Sequence, residues 1–121
     1  MSQSTILLML NRAPYDGTDM AWNALRLAGQ LLRRGHAIRI FLMNDAVDLA
    51  RESCRPPASY DQDLVALLKE LISSGAAVKV CGTRMARCGI HRSEPYYEGA
   101  HQATMSDLAE WVADSDRVLT F

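Results

Sequence analysis

Short apolar runs alternate with longer amphipathic segments along the chain. The runs are TILLML (5–10), AIRIFL (37–42), AVKVC (77–81) and RVLTF (117–121). The first and last have almost no polar alternation, which is typical of strands covered on both faces. Strands that alternate with helices need crossover connections, and such connections give parallel pairing with helices on both faces of a sheet. The pattern therefore predicts a doubly wound α/β fold with a mostly parallel sheet of four to five strands.

The segments between these runs are predicted helices. In TDMAWNALRLAGQLLRRG, apolar residues recur at helical spacing, Thr18 or Asp19 is the candidate N-cap, and Gly35 stands past the end. DQDLVALLKELISSG repeats this arrangement with Asp61 as its N-cap. Further helices are predicted at 45–51 and at roughly 105–114.

Length, charge and cysteine content narrow the class of protein. The chain has 121 residues, and we expect a single domain over residues 1–121. Its net charge is −1, so no overall field attracts nucleic acid or an anionic membrane. No apolar run approaches the roughly 18 residues of a membrane span, and the start MSQSTILLML lacks the basic region of a signal peptide. Three cysteines without disulfide-framework spacing favour a reducing cytoplasm.

In a parallel sheet of this kind, ligands and chemistry gather beyond the carboxyl ends of the strands. The predicted strands end near Leu10, Leu42, Cys81 and Phe121, which places Cys81 at this edge. The loops that follow the first three strands are 11–18, 43–45 and 82–92. Within the first two loops, the candidate pocket residues are Asn11, Tyr15, Asp16 and Asn44.

Cys81 has two interpretations that the residues leave open. A reactive thiolate needs nearby positive charge or aligned backbone N–H groups. The segment CGTRMARCGIHR supplies a glycine, which lets the backbone wrap the sulfur, and several charged or polar donors. The alternative is that Cys81 is a small buried hydrophobe at the end of a strand. The candidate residues for stabilising a thiolate are Gly82, Thr83, Arg84, Arg87 and His91.

Other chemistries receive weaker support from the sequence. The spacing Cys81-x6-Cys88-x2-His91 matches no familiar zinc site, and the neighbouring arginines would repel a cation, so we expect no metal. A disulfide between Cys81 and Cys88 is permitted by the spacing but not required. The first loop, NRAPYDGT, matches neither glycine-rich nucleotide-binding motif. We expect no cofactor.

Three segments together carry a resemblance to a known family. NRAPYDGTDMAWNALRLAGQLL looks like the first loop and helix of the DsrE/DsrF-like family of small sulfur-relay proteins, in particular its YchN-like branch. VKVCGTRMARCGI looks like the cysteine loop of that family, and YYEGAHQATMSDLAEWVADSDRVLTF looks like its closing helix and strand. The resemblance runs nearly end to end and implies a three-layer α/β/α sandwich.

The resemblance also implies an activity. In the relay members of this family, the strand-end cysteine accepts a sulfane sulfur as a persulfide and passes it to a partner. By position, that cysteine is Cys81 in this sequence. Many relatives have the motif C-G-T-C, whereas this chain has Arg84 at the position of the second thiol. A C-x-x-C dithiol is therefore absent, single-cysteine sulfur carriage remains possible, and Cys88 is the candidate resolving thiol.

We therefore expect a cytoplasmic sulfur carrier of the sulfurtransferase type, with sulfur donor and acceptor proteins as partners. Two alternatives stay open: an oligomeric, non-catalytic module that binds a small anionic ligand, and a thiol redox sensor that cycles between Cys81 and Cys88. The resemblance implies a homotrimer or homohexamer. Tyr96 and Tyr97 suit a subunit interface, since each has a broad apolar body with a polar tip. We expect Cys81 near the subunit boundary.

Overall fold

The computed structural model describes residues 3–50, 56–58, 60–82 and 99–121. The secondary structure follows the order β1 (Thr5–Leu10), α1 (Met20–Arg33), β2 (Ala37–Leu42), a 3-10 helix (Asn44–Ala50), α2 (Leu64–Ser73), β3 (Ala77–Cys81), β4 (Ala100–Ala103), α3 (Met105–Asp114) and β5 (Arg117–Thr120). The predicted bounds of β1, β2 and β3 and of the helix at 105–114 are confirmed.

The described strands form one five-stranded sheet in the order β4-β3-β2-β1-β5, and every neighbouring pair is parallel. In this register Leu10 lies opposite Leu42, and Cys81 lies opposite Ala103. The carboxyl ends of the strands therefore meet at a common edge. The predicted α/β class and its mostly parallel sheet are confirmed.

Two separate apolar layers hold the helices against the sheet. The larger layer packs α1 and α2 on one face, and its fully buried members include Leu8, Leu25 and Leu68. The smaller layer places α3 on the other face, where Phe41 and Trp111 pack edge to face with ring centroids 6.2 Å apart. Each large side chain buried in this way contributes about 1.5–3 kcal/mol. The result is a three-layer α/β/α arrangement.

The helix termini agree in part with the predicted caps. Asp19 is the N-cap residue of α1, although its side chain makes no capping hydrogen bond, and Gly35 has a φ of 89° just past the C-terminal end. The prediction that Asp61 caps the second helix is wrong. The cap is Asp63, whose carboxylate accepts a hydrogen bond from the Ala66 N–H at 3.1 Å. The helix begins at Leu64, the first residue of its buried stripe, and the cap must directly precede that residue.

Two elements differ from the sequence prediction in kind. The segment predicted as a short helix at 45–51 is a 3-10 helix over Asn44–Ala50. Residues 100–103 form β4, an edge strand in a stretch where the sequence pattern predicted no strand. The sequence AHQA has two exposed polar residues at its centre, so it lacks the apolar run that marks the other strands.

Within the residues described, no helix is both long and apolar enough to cross a membrane.

Candidate functional site

Cys81 is the last residue of β3, as the sequence predicted. Its thiol is free and half-buried, and its side chain packs against both apolar layers of the domain. The thiol is therefore neither a fully buried core group nor a fully exposed one. Its position at the carboxyl edge of the sheet is the position where parallel α/β domains carry out their chemistry.

Two basic side chains lie on the sheet face that α3 covers. The ammonium of Lys79 is 4.4 Å from the centroid of the Trp111 ring, and the guanidinium carbon of Arg39 is 5.5 Å from the same centroid. Arg39 also forms an ion pair with Asp114 at 3.0 Å. Because side chains alternate along a strand, Lys79 and Cys81 share one face, about 6.6 Å apart along β3. Lys79 thus places a cationic side chain on the same face of β3 as the thiol.

The start of α3 adds fixed dipoles to the same region. Thr104 and Asp107 form a capping box, in which each side chain bonds the backbone N–H of the other residue. The backbone N–H of Thr104 is the main cause that lowers the pKa of Asp107 below 3.8, and the charge of Lys79 lowers it further. The charge of Lys79 is therefore felt at the start of α3.

Gly82 follows Cys81 directly and lies against Gln102 of β4. A Cβ atom added at Gly82 would come within 2.5 Å of Nε2 and 2.9 Å of Cγ of Gln102. The absence of a side chain at Gly82 therefore lets the Gln102 amide lie against the backbone beside the cysteine. Its contribution is close approach, and the left-handed backbone freedom of glycine is not used at this position.

The predicted pocket residues Asn11 and Asn44 are in contact at the same sheet edge. Nδ2 of Asn44 donates to Oδ1 of Asn11 at 2.8 Å, and Nδ2 of Asn11 donates to the Phe121 carbonyl at 3.2 Å. Asn44 has a φ of 50°, in the left-handed region that asparagine tolerates better than most residues. These amides join the ends of β1, β2 and β5.

Tyr15 connects the first loop to α2. Its hydroxyl accepts a hydrogen bond from the Leu64 N–H at 3.0 Å, and its ring packs edge to face on Tyr60 at 5.0 Å. The fourth predicted pocket residue, Asp16, lies in a different arrangement. Its carboxylate accepts from the Thr18 hydroxyl at 2.6 Å, and this hydrogen bond is the main cause that lowers its pKa below 3.8. Both residues bond within the loop or to α2.

Several predicted site residues lie outside the described residues: Thr83, Arg84, Arg87, Cys88, His91, Tyr96 and Tyr97. Among the residues that the structure describes, no group of three or more His, Cys, Asp or Glu side chains is arranged to hold a metal ion. The roles assigned to these residues and to Cys81 stay predictions.

Sequence reasoning did not identify Lys79 or Gln102 as neighbours of the cysteine. A signal existed for Lys79, since the alternation in AVKVC places it on the same face as Cys81. Nothing in the sequence indicated Gln102, because β4 itself has no apolar pattern.

These features define a small parallel α/β domain with a thiol at a strand end. The family model described as DsrE/DsrF-like matches residues 5–121 of the chain. An uncharacterized protein of Methanocaldococcus jannaschii is 40% identical over 114 residues, which cover 94% of this chain and 96% of that protein. Protein YchN of Escherichia coli is 34% identical over 118 residues, which cover 96% of this chain and 97% of that protein.

The solved structures agree with these matches. The crystal structure of the YchN protein from Escherichia coli matches with a TM-score of 0.89 and 32% identity, and covers 98% of this chain and 100% of that one. A protein of unknown function from Methanobacterium thermoautotrophicum shares the fold, with a TM-score of 0.76 at 10% identity over 98% of this chain and 100% of that one. The chain belongs to the DsrE/DsrF-like family and resembles YchN along its length.

Proposed function

We propose that this protein is a sulfur carrier of the sulfurtransferase type, in which Cys81 accepts a sulfane sulfur as a persulfide and passes it to a partner. The observation that carries the proposal is the free, half-buried thiol at the carboxyl end of β3. Membership of the DsrE/DsrF-like family, in which sulfur relay is a common activity, supports the same conclusion.

The transfer needs no oxidant or cofactor. The Cys81 thiolate attacks the terminal sulfur of a donor persulfide, a new S–S bond forms at Cys81, and the donor leaves as a thiolate. An acceptor thiolate then attacks the terminal sulfur, and the Cys81 thiolate is released. Each step forms one S–S bond and breaks another, so the sulfane sulfur keeps its oxidation state throughout.

The surroundings of Cys81 suit this chemistry. A persulfide anion is favoured by positive charge, and Lys79 supplies a cation on the same face of β3. Exposed charge interactions contribute about 0.2–1 kcal/mol. Replacement of Lys79 by Gln should therefore slow persulfide formation by up to about fivefold, whereas Lys69→Gln, which removes the same charge from α2, should leave the rate unchanged.

Intact-mass measurement after incubation with polysulfide tests the proposal. Addition of one sulfur atom raises the mass by about 32 units. This increase should be lost in Cys81→Ser and retained in the matched variant Cys54→Ser. Incubation of the loaded protein with a small thiol should then return the mass to its starting value. An increase that persists in Cys81→Ser would overturn the assignment.

The same measurement separates the alternatives. A redox sensor would lose about 2 mass units on mild oxidation, and this loss would disappear in Cys88→Ser. A binding module would show no covalent change and would retain a small ligand. Either outcome without the increase of about 32 mass units on Cys81 would contradict sulfur transfer by Cys81.

The proposal extends to the oligomeric state, the cellular location and the partners of the protein. We propose a homotrimer or homohexamer in the cytoplasm that exchanges sulfur with donor and acceptor proteins. Light scattering in reducing buffer tests the assembly, because a monomer has a mass of 13.4 kDa. A monomeric mass at micromolar concentration would contradict it.

A further inference from the structure

A groove lies between α1 and α2, away from Cys81. It has a volume of about 370 Å³, which falls within the range of pockets that hold small ligands. Its lining comes from the second half of α1 and most of α2, toward the amino ends of the strands. Its apolar walls are formed by Leu25, Leu32, Leu67 and Leu71.

Gly29 lines this groove in the interior of α1. Glycine inside a helix costs about 0.5–1 kcal/mol relative to alanine. Packing does not require it here, because a Cβ atom at Gly29 would meet only Cδ2 of Leu71, at an ordinary distance of 3.5 Å. The missing side chain instead leaves open space between the two helices.

Charged side chains of opposite sign flank the groove. Arg26, Gln30 and Arg33 stand at positions i, i+4 and i+7 of α1, so they form one row along its rim. Glu70 lines the groove from α2. Within the described part of the chain, neither guanidinium forms an ion pair, and Glu70 has no basic partner. Two positive charges against one negative charge leave the groove net positive.

Arg26 is held in place at this rim. Its guanidinium carbon lies 4.3 Å from the centroid of the Trp22 ring, and Nη1 donates to Oδ1 of Asn23 at 3.2 Å. An arginine fixed in this way loses little further freedom when it binds an anion. Arg26 and Arg33 thus place two guanidinium groups in the lining of the groove, beside its apolar walls.

From these features we infer that the groove between α1 and α2 binds a small anionic amphiphile, with a carboxylate at the arginine rim and an aliphatic body between the helices. The two arginines of the rim favour the anion, and the four leucines together with Gly29 accommodate the apolar body. This site does not involve Cys81 and does not depend on sulfur transfer.

Octanoate, octanol and octylamine are suitable probes because they share one aliphatic chain and differ in charge. Trp22 reports binding through its contact with Arg26, and Trp111→Phe leaves it as the single tryptophan. Octanoate should shift the Trp22 emission at concentrations at least about fivefold lower than octanol or octylamine. Equal response to the three probes, or no response to octanoate at millimolar concentration, would overturn the inference.

Variants that remove positive or negative charge from the groove should change octanoate affinity in opposite directions. Arg26→Gln/Arg33→Gln should weaken octanoate binding about tenfold, and Glu70→Gln should strengthen it about threefold. The matched control Arg34→Gln removes an adjacent charge outside the groove and should leave the affinity unchanged. Gly29→Leu should abolish binding by filling the space. Unchanged affinity in these groove variants would contradict the site.

A second copy of the chain or an acidic helix of another protein could also occupy such a groove. If Gly29→Leu lowers the oligomeric mass measured by light scattering, a second copy covers the groove and the ligand inference fails. If an acidic amphipathic peptide binds and octanoate does not compete with it, the ligand class is wrong.

Discussion

The side-chain amide of Asn44 donates a hydrogen bond from Nδ2 to Oδ1 of Asn11 at 2.8 Å. The two residues follow β2 and β1, which are neighbours in the sheet. Because Asn11 also bonds the Phe121 carbonyl, the pair fixes the loops at the edge where Cys81 lies. Asn44 adopts a φ of 50° to make this contact, so backbone conformation and hydrogen bonding depend on one side chain.

This relationship predicts a difference between two substitutions of Asn44. Both Asn44→Ala and Asn44→Gly lose the hydrogen bond, which costs about 1 kcal/mol. Alanine keeps a Cβ in the left-handed region without the polar group that makes asparagine tolerant of it, whereas glycine has no Cβ and adopts this conformation at little cost. Urea unfolding should therefore find the alanine variant less stable than the glycine variant by about 1 kcal/mol. Equal stability of the two variants would show that the backbone at this position is not strained.

Tyr15→Phe should destabilise the protein by about 1 kcal/mol. The hydroxyl of Tyr15 accepts a hydrogen bond from the Leu64 N–H, one of the donors that a helix start leaves unsatisfied. The ring contact with Tyr60 would remain in this variant. Tyr15→Leu also removes that contact and should cost more. Both stabilities can be measured by urea unfolding, and a neutral Tyr15→Phe would contradict the capping role of the hydroxyl.

Two glycines should respond in opposite directions to alanine. Gly29→Ala should stabilise the protein by about 0.5–1 kcal/mol, because the helix gains propensity and the new Cβ fits. Gly99→Ala should destabilise it by about 1–3 kcal/mol, because its φ is 97° and a Cβ would come within 2.6 Å of Cγ2 of Ile72. Thermal unfolding measures both shifts, and a destabilising Gly29→Ala would contradict the free space described in the groove.

The capping box of α3 should make stability depend on pH. The folded protein holds the pKa of Asp107 below its ordinary value of 3.8, mainly through the backbone hydrogen bond of Thr104. A lowered pKa means that the carboxylate stabilises the fold above pH 3.8 and that this stabilisation is lost as the pH falls through the folded pKa. The stability difference between the protein and Asp107→Ala should therefore be constant near neutral pH and should shrink in acid.

Thr104→Ala provides the control for this pH dependence. It removes the hydroxyl of the capping box, so the pH-dependent part of the Asp107→Ala effect should become smaller in that background. Denaturant unfolding at several pH values measures the difference. A difference that does not vary with pH would contradict the role of the carboxylate charge.

The sequence predicted the strands whose burial is visible in their own residues. The β1, β2 and β3 runs are apolar because helices cover the sheet on both faces, and their bounds were predicted correctly. The edge strand β4 was missed because its central residues His101 and Gln102 face solvent. Its identity as a strand depends on pairing with β3, which is a contact between residues distant in sequence.

Some features of the candidate site could also be predicted from local sequence, and others depend on contacts between segments distant in sequence. The position of Cys81 at a strand end could be predicted, since the apolar run ends there and parallel strands share one edge. The contact of Lys79 with Trp111 could not, because it needs the placement of α3 over the sheet. The approach of Gln102 to Gly82 likewise requires β4 to lie beside β3.

The contact between Gly82 and Gln102 gives a final prediction, which concerns the rate of sulfur uptake. Gly82→Ala would place a Cβ 2.5 Å from Nε2 and 2.9 Å from Cγ of Gln102, so either the side chain or the backbone after Cys81 must move. Small displacements of a reacting group can reduce rates substantially. We expect persulfide formation on Cys81 to slow about tenfold, measured by intact mass over time with limiting polysulfide.

Removal of the obstructing side chain should reverse this effect. The double variant Gly82→Ala/Gln102→Ala has room for the new Cβ, so its rate should return to within about twofold of the unmodified protein, because residues in contact couple strongly. Gln102→Ala alone reports any direct role of the amide in the reaction. A double variant that stays as slow as Gly82→Ala would mean that the glycine serves backbone flexibility rather than close approach of Gln102.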